Sequence, residues 1–250
     1  ILDYQTHHAP FLPSKATSSL LLLAFSLAIL LVSGYMNYRV LLSLKHEGDH
    51  VLMLFPVRNG LYVIVNGGNG LDGMGMNNYY RPWFGSEAEP DKAKAYGLTV
   101  MRMGIRGNLT EGGNFNRSYL KYLGYNDMVY SPCMGRVIYV EDGHPEVEVF
   151  EQGAPLGNYV VIQCADYFIT LGNLRNGSID VKVDEWVSLE RFIGRVGNSG
   201  TPAIPHLHVH ATKGGWRSGE GEPVPMLFPG LSAVNKFFVR NDLTISNKGE

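Results

Sequence analysis

Three imidazoles recur at alternate positions in Pro205-His206-Leu207-His208-Val209-His210, four residues after the turn-forming run Gly194-Arg195-Val196-Gly197-Asn198-Ser199-Gly200. Histidine is the side chain that both ligates transition metals and moves protons near neutral pH, so this spacing raises metal-assisted or acid–base chemistry. On a β-strand, successive side chains point to opposite faces, which puts His206, His208 and His210 on one face about 6.6–7 Å apart. Adjacent members can share one ion at zinc–nitrogen distances of about 2.0–2.1 Å. The outer pair, about 13 Å apart, cannot, so a metal site here requires ligands from elsewhere in the chain.

The elements that must position those histidines are mainly strands. At 250 residues, 45% hydrophobic and with a formal charge of −2, the chain can bury its own core and shows no electrostatic footprint for nucleic acid. Thirty glycines and thirteen prolines favour a turn-rich β architecture over long helices. Strand signals cover Val51–Phe55, Leu61–Val65, Gly135–Val140, Tyr159–Gln163, Tyr167–Leu171, Ser178–Val183, Phe192–Val196, Leu207–Ala211 and Lys236–Arg240. Asn77 to Asp127 reads as an irregular polar stretch, with Tyr79, Tyr80, Trp83 and Phe84 pinning a long loop. No repeat of about 20–50 residues is visible. Cys133 and Cys164 are too few for a disulfide scaffold and form no zinc-type C-x-x-C pair. They bridge if their Cα atoms fall within about 7 Å, and otherwise remain buried thiols.

One segment departs from a soluble domain. The 23 residues between Lys15 and Arg39 carry no charge, and as a helix they would be about 34 Å long, enough for a hydrocarbon core of about 30 Å. We expect an N-terminal segment over 1–15, a transmembrane helix over 16–38, a juxtamembrane connector over 39–50 and a folded domain over 51–250. A buried core helix and a signal peptide are the alternatives, and no A-x-A-like cleavage site follows the run. Tyr35 and Tyr38 stand where interfacial aromatics belong. Counting Arg39, Lys45 and Arg58 against Lys15 places the large domain in the cytoplasm by the positive-inside rule.

Tyr130-Ser131-Pro132-Cys133-Met134-Gly135-Arg136-Val137, Glu141-Asp142-Gly143-His144-Pro145, Gly157-Asn158-Tyr159-Val160-Val161-Ile162, Val181 through Gly200 and Pro205-His206-Leu207-His208 together resemble the lysostaphin-type zinc endopeptidases, which cut peptidoglycan peptides. The similarity runs from about Phe55-Pro56 to Phe238–Asp242. It implies a compact antiparallel β-sheet domain with long loops around a groove. It also implies a bacterial, extracytoplasmic site of action, opposite to the charge count.

Fold does not carry function. A hydrolytic zinc site needs three protein ligands and an open position for water. The resemblance implies that His208 would bind the metal and that His206 would assist the reaction. A His and an Asp from an early H-x-x-x-D-like element should complete the ligand set, but that element reads Ala95-Tyr96-Gly97-Leu98-Thr99. Ala95 and Thr99 therefore occupy the ligand positions. A variant Asn-His-rich turn matches Met76-Asn77-Asn78-Tyr79-Tyr80, again without histidine, and none occurs between His50 and His144. A further assisting histidine maps to Asn173 in Leu171-Gly172-Asn173-Leu174, and Asn cannot shuttle protons near pH 7. His144, near Glu141 and Asp142, reads as a turn histidine; His46 and His50 lie near the membrane end. Asp184 and Glu190 stand where the family places turn glycines.

The expectation is therefore a single-pass protein of the bacterial cytoplasmic membrane with an extracytoplasmic, catalytically degenerate peptidase-like domain. Only a His206 and His208 remnant of the site persists, without a resident cofactor. Its partners would be the bilayer and a membrane protein complex or cell-wall component, not nucleic acid. The competing readings are an active zinc endopeptidase acting on peptide cross-links, with an unusual ligand set, and a cell-wall binding module using Tyr79 to Phe84.

Overall fold

The computed structural model describes residues 15–46, 48–71, 77, 79, 91–113, 115–201, 204–231, 238 and 242–246. The chain divides into two compact units, Ile1–Arg39 and Val40–Glu250. Helix α1 covers Lys15–Ser43, so it continues through residues expected to form a connector. Its Leu- and Ala-rich sequence has high helix propensity, and nothing before Ser43 breaks it. Ser18–Ser43 is long and apolar enough to cross a membrane, and its leucines point outward, with Leu23 and Leu30 each 68% exposed. The helix ends where Ser43 Oγ turns back to the Val40 carbonyl and the Ser43 carbonyl accepts from Asn69 N–H.

The second unit is mainly antiparallel β. Its strands are β1 (Val51–Leu52), β2 (Gly60–Asn66), β3 (Leu98–Met103), β4 (Met128–Tyr130), β5 (Gly135–Glu141), β6 (Asn158–Cys164), β7 (Tyr167–Leu174), β8 (Trp186–Val187), β9 (Phe192–Arg195), β10 (Leu207–Lys213), β11 (Glu222–Val224), β12 (Met226–Leu227) and β13 (Leu243–Ser246). The main sheet runs β13-β2-β3-β10-β7-β6-β5-β8, with β11 also pairing β10; β1–β12 and β4–β9 form small separate pairs. One face of the main sheet carries the core: Ile64, Val100, Leu171, Ile162, Val137, Leu207 and Val209 are buried, packed with Phe55, Phe228 and Phe238.

Two strand expectations need correction. The stretch from Asn77 to Asp127 contains β3, a central strand between β2 and β10. Both faces of β3 are covered, so Leu98, Thr99, Val100 and Met101 are all buried and the sequence shows no apolar–polar alternation. Ser178–Val183 forms no strand. Ile179 and Val181 do pack against the core, but the backbone is irregular, with Asp180 N–H bonded to the Ile193 carbonyl. The expected strand at Lys236–Arg240 lies outside the described residues apart from Phe238, which is buried.

Asp184 and Glu190, where the resemblance expects glycine, hold φ of 73° and 67°. L-residues resist this left-handed region by about 1–2 kcal/mol. Each carboxylate is paired, Asp184 with Arg136 at 2.9 Å and Glu190 with Arg58 at 2.6 Å. Glycine is required outright at Gly135, where a Cβ would come within 2.1 Å of the Gln163 carbonyl oxygen.

Cys133 and Cys164 are joined in a disulfide, with Cα atoms 6.2 Å apart and a sequence separation of 31. Closing a loop of that length restricts the unfolded chain, worth about 3–4 kcal/mol on the chain-entropy account. The Cys133→Ser/Cys164→Ser protein should lose about that much stability in chemical denaturation. Thiol labelling of the wild type, denatured without reductant, should modify neither cysteine; two labelled cysteines would contradict the bridge.

Candidate functional site

The alternation of β10 decides where its histidines go. Leu207, Val209 and Ala211 fill the core face, at 0–1% exposed, so His206, His208 and His210 share the other side. They are nevertheless buried too, at 3%, 2% and 3% exposed, because both faces of this strand are covered. Antiparallel pairing sets His208 directly opposite Thr99 of β3 on one side and Gly172 of β7 on the other, while His210 lies opposite Thr170.

Tyr79 closes the space between β3 and β10. Its hydroxyl is 2.6 Å from Thr99 Oγ1, and its ring meets the His208 imidazole edge-on at 4.6 Å between centroids. Burial pushes the Tyr79 phenol above its ordinary pKa, so it is neutral. The fully buried Asn77 holds Tyr79 in place. Its Oδ1 accepts from Tyr79 N–H and from Asn66 Nδ2, and its Nδ2 faces the carbonyls of Gly68, Ala95 and Gly97 at 3.0 Å each. Neither Tyr79 as a packing partner of His208 nor Asn77 as its anchor was read from the sequence, because no local periodicity marks them. Tyr80, Trp83 and Phe84 lie outside the described residues.

The imidazoles bond to one another and to the backbone. His208 Nε2 and His210 Nδ1 are 2.7 Å apart, so one donates to the other. His206 Nδ1 is 2.6 Å from the Ile204 carbonyl, which requires a proton on Nδ1. Asn173 sits beside it with φ of 60°. Its Oδ1 accepts from Gly200 N–H at 2.7 Å, and its Nδ2 donates to the His206 carbonyl at 3.0 Å. Asn173 is thus a buried tie between the turn at Gly197–Gly200 and the start of β10.

All three histidines are neutral. Burial lowers His206 to about 4 and His210 to about 3. His208 is held well below the imidazole range by burial, by His210 and by the Lys94 ammonium. Lys94 is itself paired with Asp91 at 3.1 Å and also depresses His210. Adjacency to Ala95 was the one sequence cue for this cation.

The residues present can be tested against the zinc ion that the resemblance implies. His208 Nδ1 is buried without a hydrogen-bond partner, and in the tautomer that donates from Nε2 to His210 its lone pair would suit a metal. Its surroundings do not. Thr99 across the sheet is a neutral hydroxyl engaged by Tyr79, Ala95 is a buried methyl that offers only its carbonyl to Gly70 and Asn77, and Lys94 brings a positive charge. Among the described residues, no group of three or more His, Cys, Asp or Glu side chains is placed to hold a metal ion. The set does not fit a three-ligand zinc site. The other described histidines are elsewhere: His144 pairs with Glu141 at 3.4 Å, and the His46 and His50 rings are 6.0 Å apart.

Comparison with known proteins bears on this arrangement. Among solved structures, the chain is similar to a zinc-containing peptidase from Vibrio cholerae, with 23% identity over 63% of this chain and a TM-score of 0.38; it spans 35% of that protein's length. It is similar to a mutant catalytic domain of a prophage-encoded M23 protein from Enterococcus faecalis, with 17% identity, 73% and 93% of the two chains and a TM-score of 0.36. A SpoIIIAH–SpoIIQ complex contains a further similar chain, with 14% identity, 64% and 92% coverage and a TM-score of 0.41. No curated protein matches the sequence. The model of peptidase family M23 matches residues 122–220, a span that includes Asn173, His206 and His208 and begins after Ala95 and Thr99. Residues 122–220 are thus similar to peptidase family M23, the lysostaphin-type family.

Proposed function

We propose that this chain is a membrane-anchored domain of the lysostaphin-type family that acts by binding rather than by hydrolysis, as a structural or protein-interaction subunit. Helix α1 would hold it in the bacterial cytoplasmic membrane with the domain on the outer side. The observation that carries this reading is the pairing of His208 with Thr99 under the Tyr79 ring. The position facing the family's histidine ligand holds a hydroxyl bonded to a phenol, and the space beside it is closed to water. Buried imidazoles whose pKa is held low are weak general bases, and Asn173 cannot pass protons. In this reading His206 and His208 are remnants that serve packing and hydrogen bonding, Ala95, Thr99 and Asn173 are degenerate positions, and no zinc is resident.

The disulfide supports the outer compartment, since such bridges persist in oxidising surroundings and are rare in the cytosol. It weighs against the cytoplasmic orientation given by Arg39, Lys45 and Arg58. Protease added to intact spheroplasts should digest the domain; a protected domain would reverse the orientation.

One observation favours a working zinc endopeptidase instead, the unpartnered His208 Nδ1. The full chain in detergent, incubated with purified peptidoglycan, separates the two. We expect no release of peptide fragments and no effect of His208→Ala on the protein's cellular role. Cleavage that His208→Ala abolishes in a folded protein would establish the enzyme. Co-sedimentation with isolated peptidoglycan would favour the wall-binding alternative.

A structural role for neutral histidines also predicts acid sensitivity. His206 and His210 have folded-state values near 4 and 3, below the unfolded imidazole at 6.5, so the unfolded chain binds more protons between those limits. Stability should be full above about pH 6.5 and fall as the pH drops, by on the order of 1 kcal/mol per histidine per pH unit. Denaturant midpoints at pH 7.5 and 5.5 measure it; equal midpoints would mean that the imidazoles reach solvent.

A further inference from the structure

Two phenylalanines far from the histidine cluster in sequence are exposed together. Phe115 is 77% and Phe150 59% exposed, and their rings stack 5.3 Å apart at 25°. Phe150 holds φ of 72°, a conformation that a bulky L-residue resists by about 1–2 kcal/mol. An exposed, strained aromatic gains little from its own fold, and backbone outliers of this kind concentrate where proteins bind.

The surrounding structure holds the pair rigidly. Val149, the residue before Phe150, is 4% exposed and packs with Met101, Tyr122 and Ile204. Val149 N–H donates to the Arg117 carbonyl, tying the two ring-bearing segments together. Val147 is fixed twice to Asn198, through its N–H to the Asn198 carbonyl and its carbonyl to Asn198 Nδ2. The rings are therefore presented on a preorganised scaffold, which lowers the ordering cost of association.

The charge around the rings selects the occupant. Glu148 and Glu151 flank Phe150, both exposed, and neither takes part in an ion pair among the described residues. Arg117 is exposed on the Phe115 side, leaving two carboxylates to one guanidinium. Anionic lipid would repel that pair of carboxylates. A second copy meeting this one about a two-fold axis would set the same carboxylates against each other. A different protein with an apolar cleft and a basic rim satisfies both the rings and the charges.

We propose that Phe115 and Phe150 form an apolar knob that seats in a cleft, rimmed by lysine or arginine, on a partner protein. The proposal rests on the binding role argued above and names the surface that performs it. The test uses the full chain in the cells that make it, with the photoreactive residue p-benzoylphenylalanine at position 115 and, as a control, at the exposed Met134. We expect a cross-link to one different protein from position 115 and not from 134. Its yield should fall about tenfold or more in Phe150→Gly and in Glu148→Lys/Glu151→Lys backgrounds. Phe150→Gly should leave Tm unchanged or raise it by about 2–4 °C, because glycine relieves the left-handed strain. The proposal is overturned by no cross-link, by one to a second copy, by one indifferent to charge reversal, or by a Tm loss above about 5 °C, which would make the rings part of the core. The peptidoglycan assay reports on the non-hydrolytic reading separately.

Discussion

The register between β10 and β3 is the constraint on which the site depends. It sets His208 against Thr99, and Tyr79 then bonds to the threonine hydroxyl while its ring edge covers the imidazole. Because β3 is central and covered on both faces, a register shift of one residue would send Leu98 and Val100 out of the core. The strongly apolar face of the sheet thus fixes the polar one. The same pairing that would position a metal ligand here positions a hydroxyl and a phenol.

Closing the site changes the chemistry of every group in it. Out of water, the histidines remain neutral, His208 and His210 share a hydrogen bond, and His206 bonds to the Ile204 carbonyl. Lys94 contributes a cation beside the imidazoles, balanced by Asp91, where a hydrolytic site would hold a dication. Asn173, in left-handed conformation, joins Gly200 to the His206 backbone and so supports the strand. These features cost strain and desolvation, and the large shared core offsets them.

Much of this was legible in the sequence. The H-x-H alternation on a strand, a turn-rich β domain and the apolar N-terminal helix follow from periodicity and composition; the antiparallel sheet was implied by the resemblance seen in the motifs, with which the family match over residues 122–220 agrees. The positions of Asp184 and Glu190 in left-handed turns are consistent with glycine sites in a parent pattern. Strand β3 was not legible, because burial on both faces removes the alternation that marks a half-buried strand. Ser178–Val183 showed the opposite error, since alternating apolar residues packed inward without a ladder to pair with. The Tyr79 contact with His208 arises from long-range packing and carries no local signal.

The central claim is that this face of the domain is a closed polar core and not a metal centre. The most direct measurement is the zinc content of the purified full chain after equilibration with excess zinc and removal of the unbound ion. The account predicts zinc far below one per chain, with the same content in His208→Ala. Zinc retained at one per chain, and lost in a folded His208→Ala protein, would contradict it.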